Sequence, residues 1–185
     1  ALPLPENATQ ACGHCLRHPP AWDTASSPLH YAWPLDRLIQ RFKFNADLAT
    51  GRVLGELLAR FLAADPGPRP DCILPVPLHP ARLRERGFNQ ALELARPVAR
   101  RLGIALAPRL CRRIRHTDMQ SRLDAKTRYR NLRGAFEVHV PVAGLDIAIL
   151  DDVVTTSATM SALAEVLREA GCGRIRVWSL ARAAA

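Results

Sequence analysis

The stretch Ile147–Met160, IAILDDVVTTSATM, decides the fold. It sets an apolar run, two adjacent carboxylates and a hydroxyl-rich turn end to end. Ile147–Leu150 is short, rich in branched side chains and bounded upstream by Gly144, which reads as a buried strand of a parallel sheet. Ala158–Ala170 follows as a helix, with Leu163, Val166, Leu167 and Ala170 at helical spacing and Gly171 as its stop. Asp151 and Asp152 then stand at the C-terminal edge of the strand, where open α/β sheets collect their ligands. Thr155, Thr156, Ser157 and Thr159 lead into the helix, whose first backbone N–H groups carry the positive end of its dipole. These donors suit a phosphate monoester, Ala158 offering its N–H alone, while the acids suit ribose hydroxyls or a hydrated magnesium ion. An ordinary capped helix needs one Ser or Thr, and two neighbouring acids would repel with no structural return.

Outward from that stretch the chain is helical first and alternating later. Pro34–Phe44 and Ala46–Leu62 carry apolar residues at helical intervals, and the proline-rich Ala64–Pro70 ends the pair. Strands are expected at Cys72–Val76, Ala105–Arg109, Phe136–Val140 and Arg174–Leu180, with a helix at Phe88–Leu102. Pro97 should kink that helix, since an undistorted one would cost about 3 kcal/mol. Strands alternating with helices argue a parallel sheet with right-handed crossovers.

At 185 residues and 48% hydrophobic, the chain can bury one good core, so residues 22–185 read as one domain and residues 1–21 as an appendage. No run approaches the eighteen or so apolar residues of a membrane span, and Ala1–Gln10 lacks the features of a secretory signal. The expected location is the cytoplasm. Cys72, Cys111 and Cys172 read as buried thiols rather than a disulfide framework. Residues 112–133 hold eight cationic and two acidic side chains, which accounts for +6 of the formal +9. Such a segment is either a basic arm or a solvated face.

These residues resemble the phosphoribosyl-pyrophosphate signature of type I phosphoribosyltransferases, and the flanking sequence is similar to the competence protein F (ComF) family within that group. Leu74–Gln90, LPVPLHPARLRERGFNQ, resembles the family's pyrophosphate-side loop at Pro75, Pro77, Arg82, Arg86, Gly87, Asn89 and Gln90. Thr117–Phe136 repeats its spaced pattern at Thr117, Gln120, Leu123, Arg128, Asn131, Ala135 and Phe136, and Tyr31–Leu48 resembles its leading helix. The resemblance implies a parallel-sheet, Rossmann-like type I phosphoribosyltransferase fold with a helical N-terminal hood and the remnant of a zinc-ribbon-like segment.

It also implies binding of phosphoribosyl pyrophosphate and Mg2+. Asp151 and Asp152 would position the ribose hydroxyls. Thr155, Thr156, Ser157, Ala158 and Thr159 would cradle the 5′-phosphate, and Arg82 with Arg86 would receive the charge of the departing diphosphate. The 112–133 arm would fold over the pyrophosphate, and Tyr31–Asn45, with Lys43 and Phe44, would face an acceptor that the residues do not identify. Of the histidines, only His79, in the proline-rich loop, is a candidate for testing.

Two departures stand out. The family usually has Gly where this chain has Ser157, and Gly there would take a positive φ without strain. The family also opens with two cysteine pairs that resemble a Zn2+ module, whereas this chain holds Cys12 and Cys15, half of a four-ligand site; the second pair would precede Ala1. The alternative for Cys12 and Cys15 is a pair of plain surface thiols.

The family implies a role in DNA uptake and natural transformation. One reading is an enzyme that transfers or recognises the ribose 5-phosphate group. The other is a non-catalytic accessory that binds single-stranded DNA and other competence proteins through the basic arm, keeping the sugar-phosphate pocket for regulation. Only Tyr129 interleaves the arm as an aromatic, which supports a stacking platform poorly. Both readings can hold together.

Overall fold

A computed structural model describes residues 19–115, 132, 134–155 and 157–183. Cys12, Cys15, Thr156 and residues 116–131 and 133 of the basic segment lie outside them. Helices α1 (Leu35–Phe44) and α2 (Leu48–Ala63) form where helical spacing placed them, and Asp47 caps the second by accepting the Thr50 N–H at 2.9 Å.

The central sheet is parallel throughout. Its middle strands are β3 (Cys72–Pro75), β7 (Asp146–Val154) and β8 (Arg174–Arg182). The edge strand β4 (Ala105–Leu106) joins β3, while β1 (Thr24–Ser26) and β2 (Leu29–His30) both pair with β8. Strand β7 does not stop at its first acid. Asp151 stays opposite Ser179, and Val153 and Val154 stay opposite Ala181 and Arg182. The ladder thus runs on past both acids, and two β-branched valines complete it.

Alternation along β7 divides the core. Ile147 and Ile149 pack with Leu163 and Leu167 of α5 (Ala158–Glu169) on one face. Ala148 and Leu150 pack on the other with α1, α2 and α4 (Gln90–Leu102). Helices therefore cover both sides, as a parallel sheet requires. Strands β5 (Cys111–Arg113) and β6 (Phe136–Val138) stand apart as an antiparallel pair. The segment expected at Phe136–Val140 is thus a strand, but of this small ladder rather than of the main sheet.

One short helix has no counterpart among the expected elements. Helix α3 (Pro80–Arg86) begins with Pro80 behind the cap His79, whose Nδ1 accepts the Ala81 N–H at 3.3 Å, and ends at Gly87 with φ 81°. The helix expected from Phe88 starts instead at Gln90, because Asn89 Oδ1 caps it by accepting from Ala91 N–H and Leu92 N–H. Pro97 lies inside this single helical span. Its ring faces Gly55 of α2, where any Cβ would fall 2.5 Å from Pro97 Cγ.

The N-terminal stretch is held by charge. Arg168 near the end of α5 donates to both carboxylate oxygens of Asp23 at 2.7 and 2.6 Å, and Asp23 Oδ2 accepts from the Ile175 N–H. At the opposite end of the strands from the acidic pair, Arg176 grips Asp146 with two nitrogens, Nε donating to Oδ1 at 3.0 Å and Nη2 to Oδ2 at 2.6 Å. Among the described residues no helix is long and apolar enough to cross a membrane.

Candidate functional site

The C-terminal end of β7 gathers charge of both signs. Asp151 Oδ1 accepts the Asp152 N–H at 2.9 Å, which folds the first carboxylate back along the strand toward the second. Asp152 is only 2% exposed, and its Oδ2 lies 2.5 Å from Lys43 Nζ at the end of α1. Asp152 therefore meets a lysine rather than open solute.

Asp151 is raised well above the ordinary carboxylate range, first by burial and then by the charge of Asp152, with Lys43 opposing. Burial lowers the pKa of Arg86 and Arg113, opposed by the charge of Asp152 and Asp151 at Arg86 and of Asp151 at Arg113.

The pyrophosphate-side segment comes to the same place. Strand β3 pairs with β7 as far as Pro75 opposite Leu150, and the Val76 N–H extends the ladder to Leu150 O at 2.9 Å. Asn89 Nδ2 donates to Val76 O at 3.0 Å, tying the turn after α3 to that ladder. Arg86 is fixed by Gln90, donating to its Oε1 at 2.6 Å, and its guanidinium lies 5.6 Å from the Phe44 ring centroid. Arg82 stands one turn earlier, 3.5 Å from Glu85. Lys43, Phe44, Ala46, Arg82, Glu85 and Arg86 line an open pocket of about 170 Å3. Three cations against one acid make it attractive to an anion.

Ser157 holds φ 60° and ψ 0° at the start of α5, the left-handed conformation for which glycine is suited. Its hydroxyl makes no capping bond to the helix. Thr155 is exposed, Ser157 and Thr159 are partly exposed, and Ala158 is buried in the core. None of these four lines the Lys43–Arg86 pocket. The structure thus joins Asp151, Asp152, Arg82 and Arg86 through Lys43, and sets the hydroxyl turn beyond the strand end as a separate feature.

Lys43 was legible only as part of a leading helix facing the acceptor, and its pairing with Asp152 depends on how α1 packs. Arg113 read as one charge among many in the basic segment. On β5 its guanidinium lies 5.7 Å from the Phe136 ring centroid, near enough to Asp151 to feel its charge. His79 serves as a helix cap.

Mg2+ accepts one or two carboxylates while keeping several waters, and Asp151 and Asp152 offer two neighbouring carboxylates, the second of them held by Lys43. Among the described residues no group of three or more His, Cys, Asp or Glu side chains is placed to hold a metal. The fit is to a largely hydrated ion at the acidic pair.

No family model matches the chain. Among curated proteins it is 39% identical to Competence protein F of Haemophilus influenzae over 183 residues, covering 94% of this chain and 79% of that one. It is 39% identical to DNA utilization protein YhgH of Salmonella typhi and 37% identical to that of Escherichia coli strain K12, each over 92% of this chain and 77% of the relative. A crystal structure of TT1426 from Thermus thermophilus overlaps it at a TM-score of 0.41 and 24% identity, covering 70% of this chain and 72% of that chain. On the strength of its curated relatives, this chain belongs to the competence protein F family.

Proposed function

We propose that the chain binds phosphoribosyl pyrophosphate with Mg2+ at the C-terminal end of β7, and transfers or recognises its ribose 5-phosphate group in the course of DNA uptake. The observation that carries this reading is the meeting of an acidic pair with Lys43, Arg82 and Arg86 at a strand edge of a parallel sheet. The sheet with helices on both sides fits a type I phosphoribosyltransferase fold. The names of the curated relatives, one a competence protein and others DNA utilization proteins, support the setting.

In this reading Asp151 and Asp152 position the ribose by accepting hydrogen bonds from its hydroxyls. The turn from Thr155 to Thr159 takes the 5′-phosphate through its hydroxyls and the first N–H groups of α5. Displacement at the anomeric carbon passes through a cation-like sugar, and no covalent nucleophile from the protein is needed. Arg82 and Arg86 receive the charge that builds on the departing diphosphate. Bound Mg2+ supplies further neutralisation of that charge, with Asp151 and Asp152 as its protein ligands. Helix α1 and Phe44 face the acceptor as a hood. Residues 112–133 take part as the basic arm, closing over the diphosphate or binding phosphates of single-stranded DNA.

Calorimetry with phosphoribosyl pyrophosphate and Mg2+ tests the site. The Asp151→Asn, Asp152→Asn double variant is expected to lose binding while keeping its circular dichroism spectrum. Unchanged affinity would remove the acids from the site. A screen of bases for pyrophosphate release then asks for the acceptor.

A further inference from the structure

Lys43 serves two environments at once. Its ammonium is the counter-ion of Asp152 at 2.5 Å, and its side chain forms one wall of the pocket shared with Arg82 and Arg86. A carboxylate as enclosed as Asp152 is not left charged without a cation beside it. A divalent ion at the acidic pair needs the oxygen that Lys43 now neutralises, and two cations within contact of one oxygen repel strongly away from water.

We propose that Lys43 is the resident cation of the acidic pair in the free protein, and that a phosphate-bearing ligand draws it from Asp152 into the Arg82–Arg86 pocket. Anion and divalent cation then bind as a linked pair. The ligand's identity rests on the sugar-phosphate reading above; the linkage itself rests on where Lys43 sits.

The fold makes this exchange feasible. Ile39 and Phe42 provide the buried face of α1, so Lys43 can redirect its flexible four-carbon stem without disturbing the core. Its side chain is already 20% exposed, against 3% for Asp152. Arg86 is fixed between Gln90 and Phe44, so the pocket offers a waiting positive wall that an anion completes. Once Lys43 turns to the anion, Asp152 is left uncompensated and a second cation becomes favourable. Linkage makes the effect reciprocal: whatever factor the anion gives the cation, the cation returns to the anion.

Mn2+ serves as the probe ion, its binding followed by electron paramagnetic resonance, with sulfate as a phosphate-like anion that chelates it weakly. The wild-type protein is expected to bind Mn2+ poorly alone and about tenfold more tightly in sulfate. Lys43→Met should bind Mn2+ about tenfold more tightly than wild type without sulfate, and should no longer respond to sulfate. Wild-type affinity in Lys43→Met, or a wild-type protein indifferent to sulfate, overturns the proposal. Losing the ammonium also leaves Asp152 unpaired, and the sulfate dependence of the wild type tests the exchange without any variant. Phosphoribosyl pyrophosphate calorimetry on the same wild-type sample separates the two claims. Binding there without Mn2+–sulfate linkage sinks the Lys43 exchange alone, whereas linkage without such binding upholds the exchange and sinks the sugar-phosphate reading.

Discussion

Ser157 occupies a backbone region that costs a residue with a side chain about 1–2 kcal/mol. Ser157→Gly removes that strain, and the extra freedom of glycine in the unfolded chain returns about 0.5–1 kcal/mol of it. The expected outcome is a gain of about 0.5 kcal/mol, read as a higher urea midpoint at unchanged slope. A lower midpoint would show that the serine is held there by contacts stronger than its strain. This residue was legible in advance in an unusual way: a serine where the family has glycine raised the question of strain, and the left-handed φ answers it. Asp152 teaches the reverse. Two acids in sequence looked equally open to solute, yet one is enclosed and paired, because which acid meets Lys43 depends on the docking of α1 and not on the local pattern.

Helices α2 and α4 lie against each other where Gly55 meets Pro97. In Gly55→Ala two effects compete: alanine favours the helix by about 1 kcal/mol, while a Cβ 2.5 Å from Pro97 Cγ and 3.1 Å from Leu94 O must push the helices apart. Overpacking of this kind costs about 1–3 kcal/mol and should win, lowering the urea midpoint. Adding Pro97→Ala removes the ring and should recover part of the loss, a coupling that only neighbours show. The periodic helices and the buried strands were readable because burial on one or both faces writes itself into spacing. The short α3 was signposted by Pro80 and Gly87 but was too brief to show a period. Strands β1, β2 and β5 were missed for a related reason: two or three residues cannot display alternation, and their pairing depends on distant partners.

At the scale of the whole molecule, three thiols among the described residues, Cys72, Cys111 and Cys172, are closed away among core side chains. Burial raises Cys111 and Cys172 from an ordinary 9.0 to about 11. Between those values the unfolded chain releases the protons that the folded one retains, so unfolding is favoured as pH climbs. Urea unfolding from pH 8.5 to 10.5 should therefore show a steady loss of stability, shallower in Cys111→Ala; a flat profile in the wild type would contradict the sign. The class of fold was readable from the order of elements, and the family from the spacing of its motifs. That Lys43 would tie the acidic pair to the cationic pocket was not, since Lys43 and Asp152 stand more than a hundred positions apart.

Strands β1 and β2 lie along the outer flank of β8 and satisfy hydrogen bonds that an otherwise bare nine-residue margin would offer to any neighbour. An uncovered parallel margin rich in Ile175, Val177, Trp178 and Leu180 is a template for intermolecular zippering. The Asp23–Arg168 clasp is thus a guard against sticking as well as a fastening. A proteolytic nick that frees residues 19–30 should convert a monodisperse sample into one prone to clumping, even with the acidic pair and its lysine untouched.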